Sequence, residues 1–273
     1  MHITEKPNAE LVTPPFDDQH KRGDQIHPDL PYPSMSLMLV GPKGSGKSNL
    51  ILRLLYGNRK PKGSTNDHHK FYRHFFEKVY IFSPSWKLDP KMARCKIPEE
   101  QIFEDAELYP EIIAELLEGQ AEDIAEEGKE ETEHILMVFT DLAGAKGVFT
   151  SAKGIMNKLA FNLRHYKVSL IIDTQSLRQI NPAFRGNLSG VVLFSGISNR
   201  LEVQKIYDEY LGEFTPDEQE ALLGHCFAKP YDFLYINFQK HGLSRYYHNF
   251  NPLQITRSGR KAGGSGVENN ILT

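Results

Sequence analysis

Ser36-Leu37-Met38-Leu39-Val40-Gly41-Pro42-Lys43-Gly44-Ser45-Gly46-Lys47-Ser48-Asn49-Leu50-Ile51-Leu52 is the stretch that decides the fold. Its short apolar run stops on a glycine, as a buried strand does when it enters a tight turn. Helical character resumes after Lys47 and continues to Gly57. Between the two, Gly41–Ser48 fills every fixed position of G-x-x-x-x-G-K-[S/T], and it does so in the strand-to-helix setting that the motif requires. Glycines 41, 44 and 46 let successive backbone N–H groups converge on an anion, and the helix that follows adds the positive end of its dipole. Gly41, Pro42, Lys43, Gly44, Ser45, Gly46, Lys47, Ser48 and Asn49 are therefore the expected cradle for a triphosphate. Lys47 places a cation between the terminal phosphates, and the Ser48 hydroxyl is the expected Mg²⁺ ligand.

Outward from this loop, apolar runs alternate with helical stretches. Val79–Phe82, Ile135–Phe139, Val168–Ile172, Val191–Phe194 and Phe233–Asn237 read as strands. Amphipathic helix is expected within the acidic span 103–131, and helices over 154–166, 200–211 and 216–224. The alternation predicts an α/β fold, a mostly parallel central sheet flanked by helices on both faces. Residues 1–33, with six prolines, read as an irregular arm that could add an edge strand. The domain is expected over 34–252, with a flexible Gly/Ser/Lys/Arg tail over 253–273.

Hydrolysis needs more than a cradle. Ile135–Phe139 runs into Thr140-Asp141, which puts a carboxylate where a strand emerges. Asp141 is the candidate for the Mg²⁺ shell or for orienting the attacking water, with Thr140 possible on the metal side. Gln175 closes the next strand, and an amide there can bond both water and terminal phosphate. Asp173, two residues earlier, points the same way along a strand and is a weaker member of the set. Arg164 and Arg185 are the candidates for stabilising charge on the transferring phosphoryl group.

The bulk numbers are ordinary: 273 residues, 40% hydrophobic, 25% charged, net charge −3. The whole-chain charge does not announce a polyanion binder. Locally, Arg59, Lys60, Lys62, Lys70, Arg73 and Lys78 make one segment basic, and 99–133 is strongly acidic. Two widely separated cysteines, Cys95 and Cys226, exclude a disulfide framework and match no zinc spacing. They favour a reducing compartment. No apolar run reaches the roughly 18–20 residues that span a bilayer, and the first residues lack a secretory signal's apolar core.

Gly41–Ser48, the Ser83-Pro84 strand end, Phe139-Thr140-Asp141-Leu142, Arg164-His165 and Leu170-Ile171-Ile172-Asp173-Thr174-Gln175 occur in that order. Together, over about residues 35–240, they resemble the FtsK/HerA superfamily of P-loop NTPases. The closest resemblance is to the genome-packaging ATPases of large double-stranded DNA viruses and virophages, the poxvirus type. That resemblance implies an ATP- and Mg²⁺-dependent motor that moves double-stranded DNA of any sequence into a preformed capsid. The motor would be a pentameric or hexameric ring docked on a capsid vertex protein, in the host cytoplasm or viral factory. It also implies Asp141 as the second-strand acid, Gln175 as the sensor, and Arg164 or Arg185 as a finger reaching a neighbour's nucleotide. Thr140 departs from the family, which tends to have the first of two adjacent acids there. DNA contact would fall to Arg59, Lys60, Lys62, Lys146 and Lys153. Too little chain follows residue 250 for a nuclease domain.

Two other readings share the scaffold. A small-molecule kinase would carry a compact Arg-rich lid, and none is legible. A nucleotide-binding subunit that no longer hydrolyses is motivated by Thr140. No base-contacting motif separates ATP from GTP.

Overall fold

The apolar runs become strands because each is short, rich in branched or aromatic residues, and closed by a turn former. The computed structural model describes residues 2–5, 26–56, 71–72, 75–142, 148–151 and 153–256. In chain order the strands are β1 (His2–Glu5), β2 (Ser36–Val40), β3 (Lys78–Phe82), β4 (Ile102–Phe103), β5 (Ile135–Phe139), β6 (Val168–Thr174), β7 (Gly190–Phe194), β8 (Phe233–Asn237), β9 (Tyr246–His248) and β10 (Asn251–Thr256). The helices are α1 (Lys47–Tyr56), α2 (Tyr109–Glu127), α3 (Ile155–Tyr166), α4 (Pro182–Arg185), α5 (Arg200–Tyr210) and α6 (Pro216–Cys226).

All the strands lie in one sheet of order β1-β10-β9-β8-β7-β2-β6-β5-β3-β4. The six from β7 to β4 are parallel, and β8, β9, β10 and β1 extend the sheet antiparallel. β6 sits between the strand that feeds the glycine loop and the strand that ends on Thr140-Asp141. Their carboxyl ends therefore emerge side by side, where ligands bind in open α/β sheets.

Side chains alternate across this sheet into two apolar layers. Leu37, Leu39, Leu136, Val138, Ile171 and Val192 pack with Leu50, Ile51 and Leu54 of α1. Met38, Val40, Met137, Phe139, Leu170, Ile172, Val191 and Leu193 pack with Ile113 and Leu117 of α2, Met156, Leu159 and Leu163 of α3, and Ile206 of α5. Burial on both faces explains why these strands read as continuous apolar runs rather than alternating ones.

The acidic span folds as α2, whose Tyr109, Ile113, Leu117 and Gln120 face inward while its carboxylates face solvent. β4, β9 and β10 were not legible in the sequence, whereas β1 is the edge strand that the arm was expected to be able to add. β10 runs to Thr256, past the boundary expected at 252, and the arm contributes β1 as its antiparallel partner. Among the described residues no helix is long and apolar enough to cross a membrane.

Candidate nucleotide site

Gly44 and Gly46 take φ of +81° and +106°, a region in which a side chain is strained. Gly41 is needed for space: a Cβ there would lie 2.7 Å from Ser45 Oγ and 2.8 Å from Phe194 Cβ. The Gly41 amide donates to the Thr174 carbonyl at 3.2 Å, which ties the loop to β6. Among the described residues, Ser45 Oγ is buried with no hydrogen-bond partner. Lys47 is 7% exposed. Its Nζ donates to the carbonyls of Gly41 (2.7 Å) and Pro42 (3.1 Å), and burial pushes its pKa down, opposed by the charges of Asp173 and Asp141.

A single cavity at the carboxyl edge brings together Lys47, Ser48, Thr140, Asp141, Asp173 and Gln175. It measures about 210 Å³. That is below the roughly 300–1,000 Å³ of sites that enclose a whole drug-sized ligand, so it suits the phosphate end of a nucleotide and not its nucleoside. Asp141 is exposed at the mouth with φ +55°, a conformation that Asp tolerates better than most residues.

Asp173 is the residue that the sequence undervalued. β6 continues two residues past Ile172, and the register Leu39↔Asp173 sets it beside the strand that feeds the loop. Its carboxylate is 7% exposed and accepts the Asp141 amide. Burial pushes it up to about 6, opposed by Lys47 and by that hydrogen bond. Thr140 is buried too, and its hydroxyl donates to Ser83 Oγ at 2.7 Å. Ser48, Asp141 and Asp173 thus offer an all-oxygen donor set, the chemistry that suits Mg²⁺.

Gln175 opens a segment that is held by α5 and by its own side chains. Glu202 of α5 accepts Ser176 Oγ (2.6 Å) and the Leu177 amide (2.9 Å). Thr174 Oγ1 lies 2.6 Å from Gln179 Oε1.

Arg185 belongs to this scaffold and is not free to act as a finger. It is 5% exposed, pairs in bidentate fashion with Glu209 (2.7 and 2.5 Å), and donates to the carbonyls of Leu177 and Ile180. Arg164 is exposed near the end of α3. Since α3 returns to the amino edge before β6 begins, Arg164 lies at the opposite end of β6 from the cavity. Of the expected DNA-contacting residues, Lys153 is exposed just before α3, and Arg59, Lys60, Lys62 and Lys146 lie outside the described residues. So do Lys70 and Arg73, whereas Lys78 of the same basic segment pairs with Glu133 at 2.8 Å.

No family model matches the chain. Uncharacterized protein 075L of Invertebrate iridescent virus 6 is 28% identical over 182 residues, 64% of this chain and 60% of that protein. The match therefore spans about 60% of the length of 075L. Uncharacterized protein 088R of Invertebrate iridescent virus 3 is 23% identical over 74% of this chain and 68% of that protein. Among solved structures, B204, the DNA-packaging ATPase from Sulfolobus turreted icosahedral virus, superposes with a TM-score of 0.52 at 15% identity, over 79% of this chain and 97% of B204. The B204 of Sulfolobus turreted icosahedral virus 2 in complex with AMPPCP superposes with the same score, at 16% identity, over 80% of this chain and 97% of that one. The chain has the P-loop α/β fold of the viral genome-packaging ATPase B204.

Proposed function

We propose that this chain is an ATP-driven translocase of double-stranded DNA that packages a viral genome into a preformed capsid, acting as a homo-oligomeric ring of five or six subunits. One observation carries the reading: Lys47, Ser48, Asp141, Asp173 and Gln175 share a cavity beside the glycine loop. The shared fold with B204 and the iridescent-virus relatives support the viral setting.

In this reading the loop amides and Lys47 hold the terminal phosphates, and Lys47 exchanges its loop carbonyls for phosphate oxygens. Ser48 and Asp173 hold Mg²⁺, with Asp173 supplying the metal-side carboxylate that Thr140 lacks. When bound, Mg²⁺ neutralises charge on the phosphate oxygens. Asp141, exposed at the mouth, orients the attacking water, and Gln175 senses the terminal phosphate. Glu202 passes the position of the 175–177 segment to α5. Lys153, with Arg59, Lys60, Lys62 and Lys146, grips DNA phosphates without regard to sequence, and Arg164 reaches a neighbour's site.

Phosphate release measured with and without long double-stranded DNA tests this. Release should rise several-fold with DNA of any sequence and vanish in Lys47→Ala. Tight ATP binding without release would favour an inert subunit, and transfer to a small acceptor a kinase.

A further inference from the structure

The cavity that takes the phosphates leaves the nucleoside unplaced. The loop has a second flank, toward β7 and β8, and there Tyr231 stands beside it. A side chain at Gly46 would meet the Tyr231 ring at 3.5 Å. Tyr231 is 66% exposed.

Its backbone is unusual. Lys229-Pro230-Tyr231-Asp232 closes a turn in which the Asp232 amide donates to the Lys229 carbonyl at 3.2 Å. Pro occupies the second position, and the third has φ +69°, the pattern of a turn that normally takes Gly or Asn there. A bulky residue in this region is an outlier. The turn is held firmly around it. The Asp232 carbonyl accepts the Ser195 amide at 2.9 Å, and its carboxylate accepts from Asn249 (2.7 Å) and the Lys229 amide (3.1 Å) and pairs with His248 (3.3 Å). The chain thus fixes a strained tyrosine with its ring in solvent at the rim of the phosphate loop. Strain of this kind is a pointer to function.

We infer that Tyr231 is the stacking platform for the purine base of the nucleotide bound by the loop. This rests on the reading of the loop as a triphosphate site. A triphosphate whose end lies in the cavity on the β6 side must carry its nucleoside away from that cavity, and the β7–β8 flank offers an open aromatic face. Trp86 lines the phosphate cavity itself and is only 3% exposed, so it offers little face to stack on. A tyrosine ring accepts any base by its π-face, and a purine covers more of it than a pyrimidine does.

The test is equilibrium binding of ATP and of inorganic tripolyphosphate, which lacks a base, to the full chain. Tyr231→Ala should weaken ATP about tenfold, the lower part of the range for losing one stacked base, and leave tripolyphosphate unchanged. Tyr231→Phe should keep both, and CTP should bind more weakly than ATP only while the ring is present. Tyr231→Asn should melt no lower than the parent, because Asn accepts the positive φ. Equal ATP affinity in Tyr231→Ala overturns the inference. So does an equal loss of both ligands, or a lowered melting temperature in Tyr231→Asn, since either makes the ring structural. A parent protein that binds neither ligand overturns the triphosphate site itself.

Discussion

Asp173 carries the chemistry that is hardest to read from sequence. An acid after three apolar residues looks like the end of a strand, and only the register with β2 reveals two more paired residues and a buried carboxylate. Its folded-state pKa, about 6 against an ordinary 3.8, means that the folded chain holds this proton more tightly than the unfolded one. Its contribution to stability is therefore full below about pH 4 and is lost as pH rises through 6. Without nucleotide, Asp173→Asn should stabilise the protein above about pH 7 by at most about 3 kcal/mol, a gain that vanishes below about pH 4. Melting curves across pH check it. With nucleotide the sign should reverse: Asp173→Asn should lose most of the Mg²⁺-dependent gain in ATP affinity, read by equilibrium titration with and without Mg²⁺. Thr140→Asp should not rescue it, because that change removes the hydroxyl that donates to Ser83. The glycine loop was legible residue by residue, since its geometry admits few sequences.

Among elements, the segment from Gln175 to α4 shows what a linear reading misses. Arg185 is a finger candidate in the sequence, but a distant partner, Glu209 of α5, and the nearby carbonyls of Leu177 and Ile180 hold it in the scaffold. Arg185→Met should cost roughly 3 kcal/mol or more, the scale for removing one partner of a buried ion pair. The loss should appear in denaturant unfolding of the isolated chain. A near-neutral Arg185→Met would return the residue to the finger role. The central parallel strands were legible because burial on both faces makes them apolar throughout. The outer strands were not. β4 is two residues long, and β10 alternates only loosely, with Leu253 and Ile255 inward.

For the whole molecule, the sheet order separates two functional edges. The carboxyl edge carries the phosphate cavity, Tyr231 and Lys153. The amino edge carries Arg164, with the exposed Phe161 one turn earlier on α3. If Arg164 acts on a neighbour, mixing Arg164→Ala subunits with Lys47→Ala subunits should restore part of the hydrolysis that each lacks alone. No recovery would place Arg164 outside catalysis. Displacement of a third strand from a triplex at the end of long double-stranded DNA reads translocation itself. The proposal predicts ATP-dependent displacement whatever the intervening sequence, abolished in Lys47→Ala. ATP hydrolysis that proceeds at full rate while the triplex stays intact would contradict it.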